Sequence, residues 1–386
     1  MGELSAKPGI YTNDNKLSCS DKLTDKYLAH SDNYPKTLQP IVYIATGKTR
    51  GKKMLTKTVD HTVKQKTIRK PVTYVGVGLH TGKAASICVK PAPENSGINF
   101  LRKDAKPDEG LIAARWYNVT NNNLSTEIGN EHGVTVCTVE HLLAALSGCG
   151  VDNALVEIVG PEVPIMDGSS EPFVQMIEKV GTKIQNADRY IIWVHKPIEY
   201  RDGDRYALLM PDITSRFTVQ IDFDSAAIGR QVHSVELVNE AFRLNIASAR
   251  TFGFAHHVEK LKNLGLIQGA SLNNAILVDG DRIVNKEGLR YQDEFVRHKI
   301  LDCYGDFGLV GAQVMGHYFA EKPGHDLNHK FVKFMFNQRD AWSYLPIEEF
   351  YQLMGRRNTG ISKQEIEQEP VASTRVKEAN FYRRGS

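Results

Sequence analysis

Apolar and polar residues alternate over 72–77, 86–89 and 154–159, the period of half-buried strands, whereas over 138–147 and 172–180 the apolar positions recur at helical intervals. The pattern predicts a mixed α/β first half. A second set follows Asn186, with strands at 191–194, 206–210 and 217–223 and helices at 239–249 and 294–304. Thr138 stands where a helix N-cap belongs, and Gly148 can end that helix. Residues 1–65 carry only the short apolar patch 41–45 among Ser, Thr, Asn, Asp and Lys, so they read as a poorly ordered polar and basic leader, with structure beginning near Thr67. Residues 346–386 read as a C-terminal tail, because Gly-Arg-Arg-Asn-Thr-Gly from Gly355 and a mixed-charge run carry no apolar period.

Chemistry concentrates on the two predicted helices 138–147 and 294–304. In Arg297-His298-Lys299-Ile300-Leu301-Asp302-Cys303-Tyr304-Gly305-Asp306 an imidazole and two carboxylates stand four residues apart. On a helix such residues share one face with Cβ atoms about 5 to 6 Å apart, close enough for His298 and Asp302 to grip one metal ion. A hydrolytic zinc usually has three protein ligands and an open position. His141 is the best third donor, and Glu140 beside it repeats the Glu–His pairing in which His binds zinc and Glu is the general base. Each segment alone has a plain structural alternative: a Glu in a first turn suits the helix dipole, and a lone His on an apolar helix is commonly a core residue. His325 and His329 form a rival pair four apart, but Pro323 and Gly324 mark the start of their segment as a loop or turn, which weakens a helical-face argument. His256 and His257 are neighbours, which on a helix or strand point apart.

Composition narrows the class. A chain of 386 residues, 41% hydrophobic, can build two domains, and no run approaches the roughly 18 apolar residues of a spanning helix. The N-terminus lacks signal-peptide regions, and Cys19, Cys88, Cys137, Cys149 and Cys303 have no C-x-x-C spacing. A cytoplasmic protein is expected, with no cysteine zinc cluster. Between residues 48 and 70 nine Lys or Arg face one Asp, a block that reads as a solvated linker or as a weak contact with anionic lipid; no aromatic-interleaved motif points to nucleic acid. The stretch Gly76-Val77-Gly78-Leu79-His80-Thr81-Gly82-Lys83 misses both the phosphate-loop and the dinucleotide spacing, so a tight turn is expected, with His80 at its tip near substrate.

Six segments, namely 76–83, 138–142, 164–169 (Pro-Ile-Met-Asp-Gly-Ser), 250–254 (Arg-Thr-Phe-Gly-Phe), 293–299 and Gly324-His325, occur in the order and at about the intervals of one family. From about Lys66 to about Tyr344 the chain resembles the UDP-3-O-acyl-N-acetylglucosamine deacetylases, the zinc amidases that commit Gram-negative bacteria to lipid A. The resemblance implies an α+β fold of two similar two-layer sandwich domains packed face to face, 66–188 and 189–345, with the site at their interface and an acyl-passage insertion near 254–288. It implies one Zn2+ on His141, His298 and Asp302, an acylated UDP-sugar as substrate, and hydrolysis of its acetamide with Glu140 as base. It further implies His325 as acid with Asp306 as its partner, the Thr251 hydroxyl at the oxyanion, Lys299 at the diphosphate and Phe252 beside the sugar or acyl chain. Phe254, Val258, Ile267 and Leu277 would line the passage, although core packing gives the same composition. A monomer is expected. The alternative is a noncatalytic metal-containing protein that engages membrane or nucleic acid through its basic leader.

Overall fold

The computed structural model describes residues 63–237 and 240–359, so the leader up to residue 62, with most of its basic block, and the chain from residue 360 lie outside the described residues. The two halves of the chain build sheets that share a five-strand order, the second sheet having seven strands because Tyr190–Val194 also pairs with Gln313–Glu321 and Trp342–Pro346 with Tyr190–Val194. In the first, β1 (Val72–Val77), β2 (Ala84–Pro91), β3 (Ile98–Arg102), β4 (Leu111–Ala113) and β5 (Ala154–Val159) lie in the order β1-β2-β5-β3-β4. In the second, β6 (Ile198–Asp202), β7 (Arg205–Met210), β8 (Ser215–Asp222), β9 (Arg230–Glu236) and β10 (Gln313–Glu321) lie in the order β6-β7-β10-β8-β9. Directions agree as well: the late strand runs antiparallel to the second strand and parallel to the third in both sheets. The two-fold repetition expected from the resemblance is therefore visible in the hydrogen-bonded topology.

Seven helices are described: α1 (Glu140–Gly148), α2 (Glu171–Val180), α3 (Ala241–Asn245), α4 (Ala255–Asn263), α5 (Glu294–Phe307), α6 (His325–Asn337) and α7 (Ile347–Thr359). In each half one long helix precedes the late strand and another follows it, α1 and α2 around β5, α5 and α6 around β10. β2, β5 and β8 alternate buried with half-exposed or exposed side chains, the signature of sheets covered on one face. Helices α1 and α5 are buried along almost their whole length, as central helices are, although α5 carries Glu294, His298, Asp302 and Asp306 within that burial. They touch each other. A side chain on Gly305 of α5 would collide with the main-chain carbonyl of Glu140 on α1, so this glycine permits the close approach of the two helices. One apolar core holds residues of both halves, among them Ile87, Val156, Phe217 and Leu301.

Local differences from the sequence reading have physical causes. Thr138 does not cap α1: its φ is +57° and its hydroxyl donates instead to Glu162 at 3.1 Å. Helix 239–249 is reduced to α3, and the chain from Ile246 turns toward the site. Pro323 and Gly324 end ahead of a helix whose first residue is His325. The first described strand is Lys64–Ile68, paired with Thr182–Asp188, and regular structure continues past residue 346 into α7, whose Ile347 and Phe350 pack on Ile191 and Met315. The spacing of Ile347, Phe350 and Met354 carries that helix, and it was masked by the charges around it. Residues 252–283 form a small parallel and antiparallel sheet, Phe252–Phe254, Ile276–Asp279 and Arg282–Ile283, with α4 between its first two strands.

Candidate metal centre and its proton carriers

The site forms where the repeat-related helices α1 and α5 meet. His141 Nε2 lies 3.6 Å and His298 Nε2 3.3 Å from the same oxygen, Asp302 Oδ1, with the two imidazole rings perpendicular at 5.0 Å. These three buried side chains are the one group of three or more His, Cys, Asp or Glu residues among those described whose donor atoms converge as metal ligands do. Asp302 Oδ1 accepts no hydrogen bond among the described residues although it is buried, which in a folded protein calls for a ligand. His298 Nδ1 lies 3.0 Å from the Ala249 carbonyl; donating there, it leaves the Nε2 lone pair facing the cluster. Burial pushes His298 down to about 4, so its imidazole is neutral at pH 7, as a ligand requires. Burial favours the neutral acid for Asp302, yet His298 and Lys299 outweigh it and hold the carboxyl well below its usual range. The donor set fits one divalent cation.

Beside the cluster stand two groups able to move protons. Glu140 is 2% exposed, and burial raises its carboxyl above the usual range against the pull of His325. His325 Nε2 lies 3.6 Å from Glu140 Oε1, and His325 Nδ1 is 2.9 Å from Asp306 Oδ2. Burial alone would depress His325; Asp306 and Glu140 overcome it and raise the imidazole to about 10. Asp306, the last of the four-residue series on α5, also accepts from Asn328 Nδ2 at 2.8 Å and from the Thr126 hydroxyl at 2.6 Å. Thr126 and Asn328 carried no signal in the sequence. Each meets Asp306 only through the fold, and neither belongs to a spaced motif.

The remaining predicted residues fall at different distances from this centre. Lys299 donates to Asp302 Oδ2 at 2.9 Å and sits 5.6 Å over the Phe252 ring, which in turn lies 6.4 Å from the His298 ring. Thr251 is two residues from the Ala249 carbonyl, and its main chain is tied to Gly168 and Ile276, each at 2.8 Å. Gly168, with φ of +85°, lies so close to the Asn274 carbonyl that any side chain would collide, which explains a glycine in Met-Asp-Gly-Ser. His80 sits in the expected turn but is buried rather than at an open tip, and neither ring nitrogen has a partner among the described residues. Glu162 pins that turn through the amides of His80 and Thr81 at 2.8 and 2.9 Å. The Gln268 amide of the 254–288 segment donates to the His80 carbonyl at 3.0 Å, joining the two elements. Phe254 and Leu277 lie on strands of that segment, Val258 on α4 and Ile267 in the following turn, all partly exposed; α4 buries no residue, so its apolar positions are not core. His256 and His257 do not point apart, their rings being 4.1 Å from each other, and His329 stays outside the cluster.

A buried two-histidine, one-aspartate donor set where the two α+β halves meet, with a glutamate and a histidine alongside, makes a candidate metal centre flanked by groups that can carry protons. Residues 65–337 match the family model described as UDP-3-O-acyl N-acetylglycosamine deacetylase. A protein of Phenylobacterium zucineum (strain HLK1) named UDP-3-O-acyl-N-acetylglucosamine deacetylase is 45% identical over 278 residues, 72% of this chain and 95% of that protein. Proteins of the same name from Geotalea uraniireducens (strain Rf4) and Syntrophotalea carbinolica (strain DSM 2380 / NBRC 103641 / GraBd1) are 45% and 44% identical, covering 73% and 72% of this chain and 92% and 89% of their own length. The chain belongs to the UDP-3-O-acyl N-acetylglycosamine deacetylase family.

Proposed function

We propose that this protein hydrolyses the N-acetyl group of UDP-3-O-acyl-N-acetylglucosamine, releasing acetate, with one zinc ion held by His141, His298 and Asp302, as the committed step of lipid A formation. The observation that carries the reading is the convergence of those three donor atoms beside Glu140 and His325, in a chain of this family. When bound, zinc supplies a Lewis acid for the amide carbonyl and a water of lowered pKa. Glu140 accepts a proton from the attacking water as its oxygen bonds to the acetyl carbon, and the Thr251 hydroxyl donates to the developing oxyanion. The carbon–nitrogen bond then breaks, and His325, held cationic by Asp306, gives its proton to the departing amine. Lys299 meets the diphosphate, Phe252 and His80 border the sugar, and Phe254, Val258, Ile267 and Leu277 line the acyl passage. The same reading places the protein in the cytoplasm as a monomer; no described helix is long and apolar enough to cross a membrane. The test is acetate release from the acylated UDP-sugar by purified protein of measured zinc content. Turnover abolished by chelation and restored by zinc supports the reading, and no acetate from zinc-loaded protein overturns it.

A further inference from the structure

Resting on that reading, we infer that Thr126 is a positioning residue for the proton carriers, fixing Glu140 and the His325–Asp306 pair in one arrangement across the two halves of the protein. Thr126 is 2% exposed and uses its backbone and its side chain for separate purposes. Its carbonyl accepts the Val139 amide at 3.2 Å, tying it to the start of α1. Its own amide donates to Glu140 Oε2 at 3.1 Å. Its hydroxyl donates to Asp306 Oδ1 at 2.6 Å, and the hydroxyl oxygen itself lies 3.2 Å from His325 Nδ1.

These contacts close a circuit. From Thr126 it runs to Glu140 Oε2, from Glu140 Oε1 to His325 Nε2 at 3.6 Å, from His325 Nδ1 to Asp306 Oδ2 at 2.9 Å, and from Asp306 Oδ1 back to the Thr126 hydroxyl. Two buried carboxylates flank one imidazole, and each spends its second oxygen on the same threonine. That leaves Glu140 Oε1 and Asp306 Oδ2 directed at opposite nitrogens of the ring. A valine here is nearly isosteric but takes away one donor, so Asp306 Oδ1 loses its restraint, the carboxylate is held only through Oδ2 by Asn328 and His325, and the aim of His325 at the leaving amine loosens. Serine keeps the donor. Hydrogen bonds to charged groups contribute enough that losing one should slow turnover by about ten- to a hundredfold.

The experiment compares Thr126→Val and Thr126→Ser with the parent in zinc content, kcat and KM, and then repeats Thr126→Val in a His325→Gln background. The parent enzyme is the control for the function: if it releases no acetate, the deacetylase reading fails independently of Thr126. With an active parent, Thr126→Val should keep its zinc and its KM, lose ten- to a hundredfold in kcat, and lose almost nothing further in the His325→Gln background, because Thr126 acts through that imidazole. Thr126→Ser should stay within about threefold of the parent, on the expectation that the hydroxyl alone is required. An unchanged kcat in Thr126→Val, or the same loss with and without His325, overturns the inference. If Thr126→Val does not fold, Thr126→Ser decides: a folded, zinc-loaded serine variant that has lost tenfold or more in kcat refutes the role.

Discussion

Helix α5 carries three buried carboxylates, and the surroundings of two of them, Glu294 and Asp302, contrast sharply. Glu294, in its first turn, is 0% exposed, and both oxygens are engaged: Oε1 by the amide and Nε of Arg250 at 3.0 and 2.9 Å, Oε2 by Arg250 Nη2 at 3.1 Å and the Arg290 amide at 2.6 Å. Asp302, two turns on, has one oxygen bonded to Lys299 and the other facing two imidazole nitrogens with no hydrogen bond among the described residues. A buried charge is tolerated when its bonds are complete. Glu294 meets that condition within the protein and serves to fix the chain from Arg250 to Thr251 against α5. Asp302 does not meet it among the described residues, and a cation between it and the two histidines would supply what is missing. Between these two carboxylates, then, the difference is whether the protein's own donors complete the bonding of both oxygens.

The strongest way to break this contrast is His298→Ala. Zinc content and turnover should fall together, by more than the 10- to 100-fold that loss of an outer partner typically costs; a variant that keeps both would show that Asp302 needs no metal. Glu140→Gln should retain zinc and lose about 10² to 10⁴-fold in kcat, the usual worth of a general base. Loss of zinc in that variant would make Glu140 a ligand and enlarge the metal cluster. Arg250→Met probes the other carboxylate. Leaving Glu294 buried without its guanidinium should destabilise the fold by about 3–5 kcal/mol in denaturant titration, with zinc per folded molecule unchanged. A stable Arg250→Met enzyme that had lost zinc would erase the distinction between the two carboxylates.

How much of this was legible in the sequence follows from what each residue needs in order to be seen. His298, Asp302 and Asp306 announce themselves by four-residue spacing on a helix that does form, and Glu140–His141 by adjacency within an apolar run. Thr126 and Asn328 were invisible because their contacts to Asp306 span 180 and 22 residues and depend on tertiary placement, not on local pattern. Thr138 misled for the opposite reason. It has the chemistry of a cap, but a left-handed backbone and a nearby buried Glu162 turned its hydroxyl elsewhere. Strands β1, β2, β5, β7 and β8 were legible from the sequence pattern, whereas β3, β4, β6, β9 and β10 were not, and the common order β1-β2-β5-β3-β4 and β6-β7-β10-β8-β9 is set by pairing between distant strands, which alternation does not encode.

The smallest effect tests a third carboxylate of α5, Asp306, which is buried with complete bonding yet belongs to the chemistry. Its partners include a titrating imidazole, so its charge should be read in a pH profile instead of in metal content. His325 stands raised to about 10 because Asp306 and Glu140 outweigh the burial that would depress it. Glu140 stands above the usual carboxylate range, mainly through burial. Turnover should therefore rise with pH as Glu140 ionises and fall as His325 deprotonates, with apparent values that belong to the coupled pair. Asp306→Asn removes the charge that contributes most to raising His325, ahead of Glu140 and Asp302, so the alkaline limb must move to lower pH while zinc content holds. The same sign governs stability. A histidine raised on folding stabilises fully below its unfolded value of about 6.5, and that contribution disappears as pH climbs toward about 10. Asp306→Asn should therefore flatten the fall in stability across that window, measured by denaturant midpoints at several pH values. An alkaline limb and a stability slope both unmoved in Asp306→Asn would show that Glu140 alone sets the state of His325.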